Sequence, residues 1–148
     1  MASSRLNRQE ISNLLRISDP YLLLHSFEID TSSSHQAITY SSLHSVFDIL
    51  SSHFINQPTL PASISQEIML QSLACLINYS TNSGSSLAII VAFNTRVILP
   101  VNDLQPSLMC RVSYQSSDSN FIKGKAILLH DSSVVATSSC SYSIKTTF

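Results

Sequence analysis

Charge is what this sequence has least of. Of its 148 residues only 11% are Asp, Glu, Lys or Arg, eight basic against nine acidic, for a formal net charge of −1. A nucleic-acid partner is held by clustered Lys and Arg matched to phosphates, and here the basic residues are scattered along the chain, so nucleic acid is not the expected partner. Long apolar runs are missing too. The longest, around Ile68 to Ile77 and Leu87 to Phe93, fall short of the roughly 20 residues a bilayer span requires, so no membrane span is expected. Three cysteines, Cys75, Cys110 and Cys140, are odd in number, far apart and without a Cys-x-x-Cys spacing, which argues against a disulfide framework or a zinc site. They read as buried, reduced thiols. The opening "MASSRLNRQE" carries charges where a secretory signal needs its apolar region, so a mature, cytoplasmic protein is expected.

What is present is core material. A 44% hydrophobic content over this length supports one domain, residues 1–148, with a substantial interior. "NRQEISNLLR" repeats apolar residues at Ile11, Leu14 and Leu15, a short amphipathic helix closed by Asp19-Pro20. "YLLLHSFEID" and "HQAITYSSL" read as strands, the second with Ala37, Thr39 and Ser41 opposed to Ile38, Tyr40 and Ser42. "SSLAIIVAFNTRVIL", "SLMCRVSYQ", "FIKGKAILLH" and "VVATSSCSYSI" are four more β-rich segments. With only two glycines in the chain, turns fall to Asn102-Asp103, Ser117-Asp118 and His130-Asp131-Ser132. The outline is α+β, one long helix among six or so mostly antiparallel strands.

That helix, from Ala62 to Asn78, holds a single charge, Glu67, and its apolar side chains cover nearly the whole circumference, which implies burial on all sides. Two readings of Glu67 stand at this point. One is a carboxylate placed for the helix N-terminus, although the capping-box spacing is already filled by Ser63 and Gln66. The other is a proton-bearing acid: an unpaired buried carboxylate costs several kcal/mol unless it is protonated or partnered, and a neutral Glu is what a general acid must be. His53 likewise is either a hydrogen-bonded loop residue or a base. His25, His35, His44 and His130 show no ligand spacing with it or with one another.

The stretch "HFINQPTLPASISQEIMLQ" decides between these readings. His53-Phe54 is followed at +5 by Pro58, at +8 by Pro61, at +14 by Glu67 and at +18 by Gln71, without a gap. This resembles the signature of the (3R)-hydroxyacyl-[acyl-carrier-protein] dehydratases of fatty acid synthesis. "LLRISDPYLLLHSFEID" is similar to that family's opening helix, Pro-aromatic-Leu-Leu and first strand, "FNTRVILP" to the strand lining its acyl tunnel, and "SSCSYSIKTTF" to its last strand.

The resemblance implies a hotdog fold, an antiparallel β-sheet wrapped around one long central α-helix of about Ser63 to Tyr79. It implies a homodimer, or a heterodimer with a related hotdog subunit, with His of one subunit facing the acid of the other. The substrate would be a 3-hydroxyacyl thioester on the phosphopantetheine of an acyl carrier protein, with no metal or organic cofactor. His53 would take the α-proton and Glu67 would protonate the departing hydroxyl. The backbone N–H of Ala62 would serve the enolate oxygen, and Gln71 would orient the acid. Phe54, Leu60, Pro61, Met69 and Phe93 would line the tunnel. Arg96, after the tunnel strand, would dock the acidic carrier.

The chain departs from the family at +3 and +9, where Gly is usual and Asn56 and Ala62 stand. A Cβ costs about 1 kcal/mol where positive φ is required, so Ala62 bears on activity. A hotdog thioesterase using Glu67 to activate water, and a catalytically weak carrier-binding subunit paired with an active homologue, are the alternative functions.

Overall fold

A computed structural model describes residues 4–30, 32–33, 35–53, 56–81, 87–102, 107–118 and 121–145. Seven strands form one fully antiparallel sheet: β1 (Ser4–Leu6), β2 (Leu24–Ile29), β3 (Gln36–Ser41), β4 (Leu87–Val97), β5 (Leu108–Asp118), β6 (Phe121–His130) and β7 (Ser133–Lys145), in the spatial order β1-β2-β3-β5-β6-β7-β4. Helices α1 (Arg8–Leu15), α2 (Phe47–Ser52, after a 3-10 turn at His44–Val46) and α3 (Ala62–Ser80) complete the chain. The extra strand relative to the expected six is β1, whose three residues are too few to show an alternation.

Strand β6 illustrates why the sheet forms. Ile122, Gly124, Ala126 and Leu128 are buried while Phe121, Lys123, Lys125 and Ile127 are exposed, the period of two that a half-buried antiparallel strand requires. The β6–β7 hairpin turns through Asp131 and Ser132, both at positive φ (48° and 69°), the geometry of a two-residue hairpin turn, here reached without glycine. On its inner face the sheet packs against α3, which supplies Ile68, Met69, Leu73, Leu76 and Ile77 at 0% exposure. Gly124 marks the closest approach: a Cβ built there would lie 2.7 Å from Leu73 Cδ2.

Two sequence expectations are corrected at helix ends. Helix α1 stops at Leu15, where Arg16 adopts the left-handed conformation (φ 57°), before Asp19-Pro20 is reached. A capping box is present at its start, Asn7 with Glu10, whereas the Ser63–Gln66 box is not formed, because Pro61 is the N-cap of α3 and makes no side-chain cap bond. Ser63 is therefore the second helical residue. The burial of α3 follows the expectation through Asn78, except that Ala62 and Ser63 are exposed and Ile64, Gln66, Glu67 and Ala74 are half-buried.

Candidate functional site

Glu67 is the sixth residue of α3, and the first turn holds no acidic residue. Neither capping nor a first-turn charge with the helix dipole explains it, since both act within that turn. Its carboxylate Oε1 instead accepts a hydrogen bond from Gln71 Nε2 at 2.9 Å, the i, i+4 contact the spacing predicts. Gln71 is 2% exposed and held on its far side by the segment before β2: its Oε1 accepts from the Leu23 N–H at 3.0 Å and its Nε2 donates to Tyr21 O at 2.7 Å. These partners fix the amide orientation, because a backbone N–H must face oxygen and a carbonyl must face nitrogen. Tyr142 of β7 also reaches this part of the helix, its hydroxyl donating to Leu70 O at 3.1 Å. Burial first, and then the charges of Cys140 and Glu67, push its phenol up.

His53 caps the C-terminus of α2, where the chain leaves the helix in extended geometry. Its Nδ1 lies 2.7 Å from Thr59 O, and Thr59 N–H returns to His53 O at 3.4 Å. A carbonyl only accepts, so Nδ1 carries the proton, and in the neutral ring Nε2 is the basic nitrogen. Thr59 Oγ1 donates to Asn102 Oδ1 at 2.9 Å and Leu60 N–H to Val101 O at 2.7 Å, tying this loop to the segment after β4.

Ala62 is the first residue of α3 and is exposed, at the end where helical N–H groups lack intrahelical acceptors. Ala62 is not among the residues at positive φ, so the backbone strain that a lost glycine would raise there does not arise. Leu60, Pro61 and Met69 are buried around this helix start, whereas Phe93 is 50% exposed on the edge strand β4; Phe54 lies outside the described residues. Within one chain no hydrogen bond joins His53 to Glu67.

Arg96 is exposed on β4, and register shows what the linear sequence hides. Three rows cross the outer face of the sheet: Arg96, Thr137, Ile127, Arg111; Asn94, Ser139, Lys125, Ser113; and Ala92, Ser141, Lys123, Gln115. Four of the chain's eight basic residues thus share one face, and among the described residues none of the four has an ion-pair partner; the row of Arg111 continues through Ile38 of β3 to Glu28 of β2, which pairs with Arg5. Open depressions of about 570 and 550 Å³ lie on this face and both touch Lys125; neither is lined by His53, Glu67 or Gln71.

The sequence reading missed Arg8, Thr59, Asn102 and Tyr142. The contacts Arg8–Asp19, Thr59–Asn102 and Tyr142–Leu70 join residues 11 to 72 apart, so no local pattern marks them. The Asn-x-x-Glu spacing at Asn7 was legible. Among the described residues no helix is long and apolar enough to cross a membrane, and no group of three His, Cys, Asp or Glu is placed to hold a metal ion. The three thiols are free and buried, and burial pushes Cys75 and Cys110 up to about 12.

No family model and no curated protein matches the chain. Solved structures do. The dehydratase heterocomplex ApeI:P from Xenorhabdus doucetiae superposes with a TM-score of 0.70 at 16% identity, covering 90% of this chain and 90% of that one. A mutant thioesterase from Pseudomonas aeruginosa gives 0.70 at 8%, covering 94% of each chain. A thioesterase from Haemophilus influenzae gives 0.66 at 11%, covering 95% and 92%. With an antiparallel sheet wrapped on one long buried helix, the chain has the hotdog fold.

Proposed function

We propose that this protein is a hotdog enzyme acting on acyl thioesters, and specifically a dehydratase that converts 3-hydroxyacyl chains on an acyl carrier protein to trans-2-enoyl chains in fatty acid or polyketide and polyene biosynthesis. His53 Nε2 removes the proton at C2, and the thioester oxygen gathers the charge. The N–H of Ala62, at the positive end of the 19-residue helix, donates to that oxygen. As the C3–O bond breaks, Glu67 gives its proton to the hydroxyl, which leaves as water.

The observation that carries the reading is the Gln71 clamp on Glu67, an oriented acid on a helix otherwise free of charge, downstream of a histidine whose backbone contact selects the basic nitrogen. No hydrogen bond joins the two within one chain, and in this reading they act across a dimer. Edge strand β4 supports that assembly, since Ile90, Phe93 and Val97 stand 38–50% exposed along it. The carrier docks on the cationic outer face beside Arg96.

A second reading is supported by the thioesterases of the same fold: Glu67 would activate water and the acyl group would be released. Mass spectrometry of a 3-hydroxyacyl carrier protein after incubation separates them. Loss of water with the thioester intact is the expected result; loss of the acyl group supports hydrolysis, and an unchanged species means the chain alone does neither.

A further inference from the structure

The segment Tyr21–Leu24, which leads from a turn into β2, is gripped from both sides. On one side is Gln71, through Tyr21 O and the Leu23 N–H. On the other is Arg8, whose Nη2 donates to Leu22 O and Nη1 to Leu24 O, each at 2.8 Å, while Nη2 also pairs with Asp19. The hydrogen bonds place the Leu22 and Leu24 carbonyls on the side of Arg8 and the Tyr21 carbonyl on the side of Gln71. Arg8 is itself well placed. It opens α1 directly after Asn7, whose side chain accepts the Glu10 N–H at 3.0 Å while Glu10 accepts from the Asn7 N–H at 2.7 Å, and α1 is seated by Ile11 at 0% exposure.

We propose that Arg8 is a positioning residue for Glu67, acting through this strap and Gln71. It touches neither Glu67 nor Gln71. It sets the register of the two backbone groups that orient the Gln71 amide, whose remaining hydrogen reaches the carboxylate. The planar guanidinium suits the task because one rigid group spans two carbonyls two residues apart, which an ammonium cannot do with the same geometry. Removing it leaves the strap in the core, since Leu22 and Leu24 are 2% and 0% exposed and Leu23 O still accepts from the Ser42 N–H at 2.8 Å, but takes away the hold on the Leu22 and Leu24 carbonyls, so that the backbone facing Gln71 is less tightly fixed. Small displacements of an acid cost rate rather than binding.

The inference rests on the reading of Glu67 as the acid, and the test keeps the two apart. In full-length protein, Arg8→Ala, Arg8→Lys, Gln71→Leu and the double variant are compared by the ¹³C resonance of the Glu67 side-chain carboxyl and by kcat and KM for dehydration. Arg8→Ala is expected to move the resonance in the direction Gln71→Leu does and to lower kcat about 10- to 100-fold with KM little changed. Arg8→Lys should recover part of both. In the double variant the effects should not add, because Arg8 acts only through Gln71. Additive effects, or a Glu67 resonance that Gln71→Leu moves and neither Arg8 variant does, overturn the proposal. If the unaltered protein performs no dehydration, the functional reading falls while the resonance cycle still decides the role of Arg8; if Arg8→Ala does not fold, Arg8→Lys carries the same comparison.

Discussion

Single side chains carry the chemistry, and two of them separate the functional reading from a merely folded protein. His53→Ala and Glu67→Gln should each reduce dehydration by roughly 10²- to 10⁴-fold, the usual worth of a positioned acid or base. Circular dichroism should remain unchanged, because neither side chain belongs to the core. Near-normal turnover in either variant removes that residue from the mechanism. The thiols behave in the opposite way, as stability groups. Cys75 and Cys110 stay protonated in the folded chain up to about 12, against an ordinary value of 9.0, because ionisation in an apolar interior is costly. A raised folded value favours folding in the protonated form, so this contribution is complete below about 9 and is lost as pH rises toward about 12. At pH 10 the unfolded thiol gains on the order of 1 kcal/mol that the buried one does not. Urea unfolding at pH 8 and pH 10 should therefore differ less for Cys75→Val than for the unaltered chain, and equal differences would mean Cys75 is not buried.

Elements meet where the fold leaves least room. Gly124 on β6 faces Leu73 of α3, and an added methyl group would sit 2.7 Å from the leucine Cδ2, inside van der Waals contact. Leu73 is fully buried and has nowhere open to turn. Gly124→Ala is expected to destabilise the protein by about 1–3 kcal/mol, the range for overpacking, and to be nearly harmless in a Leu73→Ala background. Denaturant titration of the four proteins closes that cycle, and a full cost in both backgrounds would place the strain elsewhere. The box at the start of α1 is a weaker joint. Asn7→Ala should cost about 1 kcal/mol.

At the scale of the molecule the exposed features sort into two faces. Strand β4 presents an unpaired edge with Ile90, Phe93 and Val97, which suits a second hotdog subunit, like or related. If the site is shared as proposed, Val97→Asp is expected to convert a dimer into a monomer in light scattering and to abolish turnover. A monomeric unaltered protein that turns over would refute the shared site. The outer sheet face gathers Arg96, Arg111, Lys123 and Lys125, with the carboxylates of that face, Glu28 and Asp30, standing at its β2 end. Under the proposed function an acidic carrier would dock on this face. Lys125→Glu, alone or with Arg96→Glu, should raise KM for carrier-bound substrate, spare a small N-acetylcysteamine thioester, and flatten the dependence on salt, because the attraction that salt screens is gone. Equal loss with both substrates would make the face structural.

Periodicity and offsets, the local properties of the chain, were enough for much of this. Alternation along "HQAITYSSL" and "FIKGKAILLH" specifies half-buried strands, and the apolar run from Ala62, with Glu67 its single charge, specifies a helix enclosed by them, because side-chain direction repeats with fixed period in each element. The 14- and 18-residue offsets from His53 marked Glu67 and Gln71, and their contact follows from helical spacing alone. Tertiary structure decided the rest. That Gln71 is gripped by Tyr21 and Leu23, and the strap in turn by Arg8, depends on contacts 14 to 50 residues apart with no shared pattern. That scattered cations form one face depends on register: Arg111 reaches the row of Arg96 only because β5, β6, β7 and β4 pair in that order, and a slip of one residue would turn each side chain to the opposite face.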